Sequence, residues 1–287
     1  MAAPSNPSAA LPRAVDPTIV RQIRQASQSS SSDFGLLMAE AAQESGFRPD
    51  AKAATGSAAG LFQFVDSTWL DMVHRYGAKY GQAELAQQIA TDPAGKPAAT
   101  SAAARQRILA LRSDPALSAS LAGEYAKQNQ DEVERALGHR VGKADLYMAH
   151  FLGAGGATTF LKALATKGST PAAQLLPDAA QSNPGVFFDA ATGRAKTVAE
   201  IYHTLGSRIE QNANHYASLA ASTDSPAPAA SMMAMAMPAT AVATGVSQLD
   251  FNGLKLSAPM ASMLDTLTLA ALRLAAGDSA PASDKSS

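Results

Sequence analysis

At 287 residues the chain is longer than one ordinary domain, but alanine makes up much of its 46% hydrophobic content, so one core with poorly packing ends is expected. Its 23 basic and 24 acidic residues leave a formal net charge of -1, which offers no field to gather nucleic acid or an anionic membrane surface. Without cysteine, neither disulfides nor thiolate metal sites can form.

Residues 1–30 are rich in Ala, Pro and Ser and run into SQSSSSD. Such a composition buries too little apolar surface to offset the entropy of ordering, so a flexible arm is expected there. The opening MAAPSNPSAALPRAV has no basic stretch followed by an unbroken apolar run, and no secretory signal is recognisable in it. The first helix falls on DFGLLMAEAAQES, with Asp33 as N-cap, Leu36, Leu37 and Glu40 starting a 3.6-residue pattern, and Gly46 and Pro49 stopping it near Ser45. A second starts at the Asp66-Ser67 turn and carries Trp69, Leu70, Met72 and Val73. Further helices are predicted from Ser101 to Arg112, from Pro115 to Leu137 behind Asp114, from Ala144 to Leu152, and from Thr197 to about Tyr216. Alanine is the strongest helix former, and runs of Val, Ile, Tyr and Phe suited to strands are scarce, so the expected fold class is all-α.

Val186, Phe187 and Phe188, with the face Val198, Ile201, Tyr202 and Leu205, need a core, which sets the folded domain at 31–222. Residues 223–250 read as a low-complexity linker of Ala, Pro, Ser and Met. Its apolar stretch from Met232 to Val246 is interrupted by Pro238 and falls short of the roughly 18 to 20 residues a membrane-spanning helix needs. In the tail, 251–287, Met260, Met263, Leu264, Leu267, Ala271 and Leu274 recur at helical spacing. That amphipathic helix would dock on the main domain or another copy, or serve a partner or export role.

Glu40 and Glu44 stand four residues apart and so share one face of the first helix, where like charge and partial burial both favour a protonated carboxyl. A raised pKa is what a general acid near neutral pH requires, although such a pair is more commonly a solvated face. The residues after Glu44 single it out: a Gly and Pro break, a small-residue loop with Thr55, Gly56, Ser57 and Gly60, and then apolar-flanked Gln63 before Phe64. This is a chain doubling back beside Glu44 to build a cleft wall, in which small residues admit a flat sugar ring and Gln63 offers both donor and acceptor groups.

Glu44-Ser45, followed by Gly60-Leu61-Phe62-Gln63, resembles the ES and GLMQ signatures of the soluble lytic transglycosylases, whose fold is lysozyme-like. A third signature of that family, AYNAG, aligns with Ala149, His150, Phe151, Leu152 and Gly153, where His150 and Phe151 replace the usual Tyr-Asn pair. Tyr147, one helical turn before His150, could supply a phenol hydroxyl instead, or be a core aromatic. The resemblance implies Glu44 as the catalytic residue, and Thr55, Ser57, Gln63, Phe64, Tyr147 and His150 are the substrate-binding candidates. Either Thr55 or Ser57 is expected to place a hydroxyl near Glu44, and Ser45 to support its backbone. No metal or other cofactor is expected, because His74, His139, His203 and His215 are scattered and give His150 no second ligand.

Ordinary glycoside hydrolysis needs two carboxyl groups, and the remaining candidates, Asp50 and Asp66, sit at turns where structural caps are the commoner role. The resemblance implies a chemistry that needs only one. The substrate's N-acetyl group stabilises the cationic centre, the muramyl 6-hydroxyl attacks it, and Glu44 serves as acid and then as base, leaving a 1,6-anhydro-MurNAc end. Peptidoglycan glycan strands are then the partner and the periplasm or cell wall the site of action, with the termini available to secretion, flagellar or virion machinery. The rival readings are a goose-type lysozyme-like muramidase that uses water, and a non-catalytic peptidoglycan-binding scaffold.

Overall fold

The computed structural model describes residues 15–223 apart from Thr55 and Ala94. It is helical almost throughout, as composition and periodicity predict. Asp16 caps the first helix, accepting the Thr18 N–H, and Pro17 at the first position starts α1 (Pro17–Ser30). Asp33 starts α2 (Phe34–Ser45) by accepting the Leu36 N–H. Then come α3 (Asp66–Tyr76), α4 (Ala83–Ala86), the antiparallel pair β1 (Ile89–Thr91) and β2 (Pro97–Ala99), and α5 (Ala102–Ala110), capped by Ser101. Asp114 caps the long α6 (Pro115–Leu137), and α7 (Lys143–Lys167) follows. Three short helices, α8 (Ala172–Leu175), α9 (Pro177–Ser182) and α10 (Pro184–Phe187), lead to α11 (Val198–Thr223).

Two expectations need correction. Residues 1–30 are not wholly a flexible arm, because 17–30 form α1, whose Ile19, Ile23 and Ala26 are buried in the core. Those three positions make a helical stripe that an average over Ala, Pro and Ser conceals. Serine here assists close packing: a Cβ at Gly123 of α6 would meet Ser30 Oγ at 2.4 Å. The helix expected to end at Leu152 instead resumes after one non-helical residue, Gly153 (φ 69°, ψ 161°), and runs to Lys167, so α7 is two helical segments bent at a buried glycine. Residues 1–14, the linker beyond Thr223 and the tail with its amphipathic helix lie outside the described residues.

The core is organised around α2. Leu36, Leu37, Met38, Ala39, Ala41 and Ala42 are all buried, so nearly every face of this helix is covered, as expected of a helix apolar around its circumference. Helices α1, α6 and α11 pack on it or on each other, and α7 closes against α6 and α11. Val186, Phe187 and the α11 face Val198, Ile201 and Leu205 are buried as expected. Trp69, fully buried, donates its indole N–H to the Ile108 carbonyl at 2.7 Å, tying α3 to α5. Among the described residues no helix is long and apolar enough to cross a membrane.

At Gly35 the backbones of α2 and α11 approach so closely that a Cβ would lie 2.3 Å from the Ala213 carbonyl oxygen. Gly35→Ala is therefore expected to destabilise the fold by about 1–3 kcal/mol or more despite its better helix propensity. Gly155→Ala, with nothing within 4 Å of the added carbon, should be neutral or stabilising by up to about 1 kcal/mol. Urea unfolding of the two variants checks the pair.

Candidate active site

The sequence after α2 turns sharply because Gly46 (φ 60°) and Phe47 (φ 59°) both take the left-handed conformation. The Gly46 N–H bonds the Ala42 carbonyl at 3.0 Å and the Phe47 N–H bonds the Ala41 carbonyl at 3.2 Å, closing the helix end. Phe47 is anchored edge-on against Tyr216. Buried Ser45 joins this end to the returning loop: its Oγ lies 2.8 Å from the Leu61 carbonyl and 3.2 Å from that of Ala41, and accepts the Arg48 N–H at 3.1 Å. Gly60 (φ 85°) is required where the loop crosses the segment just beyond α5, since a Cβ there would meet the Arg112 carbonyl oxygen at 2.1 Å. Arg112 braces the loop's far side, donating to the carbonyls of Ser57 at 2.6 Å and Phe64 at 3.0 Å and to the Asp66 carboxylate at 2.8 Å. The other Asp66 oxygen takes Arg105 at 2.5 Å, so Asp66 is a structural group.

Between this loop and helices α2, α6 and α7 opens a cleft. Leu36, Glu40 and Glu44 line it from α2, Phe62, Gln63 and Phe64 from the loop, and Thr68 from α3. Ala122, Tyr125, Ala126 and Asn129 contribute from α6, and Leu146 and His150 from α7. Glu44 lies in the last turn of α2 with 10% of its side chain exposed, whereas Glu40, one turn deeper, keeps 4%. His150 stands between them, its Nε2 3.4 Å from Glu44 Oε1 and its Nδ1 3.6 Å from Glu40 Oε1.

Burial works against a charged imidazole, but the two carboxylates outweigh it and raise the His150 pKa from 6.5 to about 9, so the ring is a cation at neutral pH. Burial pushes the Glu40 carboxyl up, an effect that His150 opposes and Glu44 reinforces. Among the described residues no group of three or more His, Asp or Glu is arranged to hold a metal ion.

The structure brings Glu44, Gln63, Phe64 and His150 together in one cleft. Gln63 (φ 48°) spends its amide N–H donors on the Gly60 and Ala51 carbonyls, at 2.9 and 3.2 Å, so only its carbonyl oxygen is left to meet a ligand. Phe64 packs edge-on to Trp69 and Tyr125. Tyr147 is not a cleft residue: it is buried, its hydroxyl accepts from the Gln43 amide, and its ring stacks 6.2 Å from that of His150. Ser57 is exposed away from the cleft, with its Oγ accepting the Asp66 N–H at 3.3 Å. Thr55 lies outside the described residues.

Sequence reasoning missed the α6 wall. Ala122, Tyr125, Ala126 and Asn129 recur at three- and four-residue spacing, which is the signal that one face of α6 is shared, but nothing local says that this face looks into a cleft. The Tyr125 hydroxyl is buried on the same face as Asn129. Glu40 was also undervalued. The solvated-face reading fails because the Glu40 carboxyl is buried beside His150 of α7, 3.6 Å away.

Residues 21–94 match the family model described as the Transglycosylase SLT domain, a stretch that takes in most of α1, all of α2 with both candidate glutamates, the loop and α3. The match bears out the resemblance read from Glu44-Ser45 and Gly60-Leu61-Phe62-Gln63, and supports a lytic transglycosylase-type function, acting on peptidoglycan, in general.

This geometry has two measurable outcomes. Ser45→Ala leaves the Leu61 carbonyl and Arg48 N–H without their buried partner, and is expected to cost about 1–3 kcal/mol in urea unfolding. The elevated His150 stabilises the fold fully below its unfolded pKa of 6.5, and this contribution is lost as pH rises through about 9. Buried Glu40, with its carboxyl raised, costs stability as it ionises, in the same direction. The urea midpoint should therefore fall as pH rises between about 6.5 and 9.

Proposed function

We propose that the protein is a peptidoglycan lytic transglycosylase that cleaves the MurNAc–GlcNAc β-1,4 bond and leaves 1,6-anhydro-MurNAc ends, with Glu44 as its single general acid/base. The observation that carries this reading is the unequal placement of the two cleft carboxyls. Glu44 stands at the helix end with 10% of its side chain exposed, whereas Glu40 keeps 4% and is covered by His150. A group that must reach a glycosidic oxygen has to be accessible, and of this pair Glu44 is the more accessible.

In the first step Glu44 Oε donates a proton to the glycosidic oxygen as the C1–O bond breaks, and the GlcNAc leaves with a free 4-hydroxyl. The substrate's own N-acetyl oxygen stabilises the positive charge at C1. In the second step the muramyl 6-hydroxyl attacks C1 and gives its proton back to the Glu44 carboxylate, which restores the enzyme without consuming water. The cleft supports this course with flat and apolar walls for sugar faces, Phe62, Phe64, Ala122 and Ala126, and with polar groups for hydroxyls and amides, Gln63, Asn129 and Tyr125. An ordinary hydrolytic scheme needs a second carboxyl free to act on C1 or on water, and Glu40 is engaged with His150 in the cleft wall.

Glu44→Gln, nearly isosteric but unable to exchange the proton, should lower release of soluble fragments from purified sacculi by several orders of magnitude while helical content and unfolding midpoint persist. Mass analysis of fragments from the unaltered protein should show anhydro ends. Reducing ends would identify a muramidase, and tight sacculus binding without release a scaffold.

A further inference from the structure

His150 is the least expected residue of the cleft. It occupies the place where the resembling family carries the first residue of a neutral Tyr-Asn pair, and it brings a positive charge with 16% of its side chain exposed. An imidazolium at such a depth is costly unless its charge and both N–H groups are matched. Here both ring nitrogens face carboxylate oxygens of one helix: Nδ1 towards Glu40 at 3.6 Å and Nε2 towards Glu44 at 3.4 Å.

The ring has little freedom to do otherwise. Tyr147 lies nearly parallel to it, at an interplanar angle of 17°, and Tyr147 is itself fixed by Gln43 of α2. Helix α6 contributes Tyr125 to the cleft lining, and the charge of Arg208 of α11 is felt at Tyr147. Among the described residues, the ionisable groups around His150 are thus two carboxyls on α2 and two neutral phenols, and no second cation meets its ring.

We propose that His150 is a positioning residue, oriented by the charge of buried Glu40 beside Nδ1 so that its Nε2–H holds the Glu44 carboxyl in one rotamer in the cleft. The inference rests on Glu44 as the acid/base. Glutamate has three rotatable side-chain bonds, and in the last turn of a helix beside a cleft it has alternative rotamers that a hydrogen bond excludes. A misplacement of a reacting group by about 1 Å is enough to lose on the order of 10²-fold in rate. Glu40 acts in this arrangement through His150. It supplies the counter-charge that keeps His150 protonated and its ring oriented, as a buried carboxylate does for a histidine in other acid/base sites.

The alkaline side of the pH–rate profile carries a signature of this arrangement. As pH rises through about 9, His150 loses the proton that keeps it a cation, and Glu44 loses its charged tether. Removing the Glu40 charge takes away the largest influence raising the His150 pKa, while burial continues to lower it. In Glu40→Gln the alkaline limb should therefore move towards neutral pH, with kcat for sacculus digestion falling on the order of 10²-fold and KM little changed.

The test is made on the full chain with ring-labelled histidine, titrated by NMR, with the His150 signal assigned from His150→Gln. The expected result is a midpoint near 9 in the unaltered protein, moving down in both Glu40→Gln and Glu44→Gln, together with the shifted alkaline limb in Glu40→Gln. A His150 midpoint near 6.5 in the unaltered protein, or a Glu40→Gln pH profile that superimposes on the unaltered one, overturns the proposal. The two readings fail separately: retained cleavage by Glu44→Gln removes the acid/base assignment, whereas the titration reports the carboxylate–imidazolium contacts whether or not Glu44 is catalytic. Should His150→Gln fail to fold, His150→Asn gives the assignment, and Glu40→Gln, close to isosteric, still decides the outcome.

Discussion

A helix covered on almost all sides by apolar packing has very few directions in which to send a charged side chain, and α2 carries two glutamates. Its buried residues leave one gap, the cleft bounded by α6, α7 and the loop from Gly60 to Phe64, and both carboxyls face it. The gap can accept them only because α7 brings a matching cation, His150, into reach of both. The rest of the architecture serves that arrangement: α11 and α6 hold α2 and α7 at fixed separation, and the left-handed turn at Gly46–Phe47 brings the loop back across the exposed end of α2.

Much of this was legible in the sequence, for local reasons. Asp33 and Asp114 cap α2 and α6 as read, and Gly46 ends α2 where expected, because caps depend on residues within one turn of each other. The pairing of Glu44 with Gln63 and Phe64 in one cleft was legible because a tight loop leaves a chain few places to go. What escaped notice depended on partners distant in sequence. Helix α1 looks like a mobile arm until α6 is present to cover Ile19 and Ile23. Glu40 looks solvated until His150 of α7 stands beside it, and the Tyr125–Asn129 face of α6 has no meaning until the loop completes the cleft. Ser57 was misplaced for a different reason: in an irregular loop its side chain goes where the backbone aims it, here to the first turn of α3.

The loop's shape is imposed from outside as well as from within. Internally, the Gln63 amide and the Gly60 N–H bond the same carbonyl, that of Ala51, and so draw the two arms of the loop together. Externally, Arg112 reaches across from just beyond α5 to three acceptors, of which Ser57 and Phe64 offer backbone carbonyls. A guanidinium suits this task because its donors form a planar fork that can hold several acceptors at fixed angles. The position of the cleft's aromatic wall therefore depends on a residue that does not itself face the cleft.

The co-occurrence of Glu40 and His150 comes from charge balance. Placed alone at this depth, an imidazole would favour its neutral form, since burial is the largest single influence on it and acts against the cation. Placed alone, the Glu40 carboxyl would likewise be driven towards its neutral form by burial. Together they can remain charged, and each loses its reason to be charged if the other is removed. Glu44 is the second carboxyl that the same imidazole faces. It stands in the last turn of α2, with 10% of its side chain exposed against 4% for Glu40. Of the two carboxyls it is the one a ligand reaches more readily, and that is where an acid that must give a proton away and then recover it has to stand.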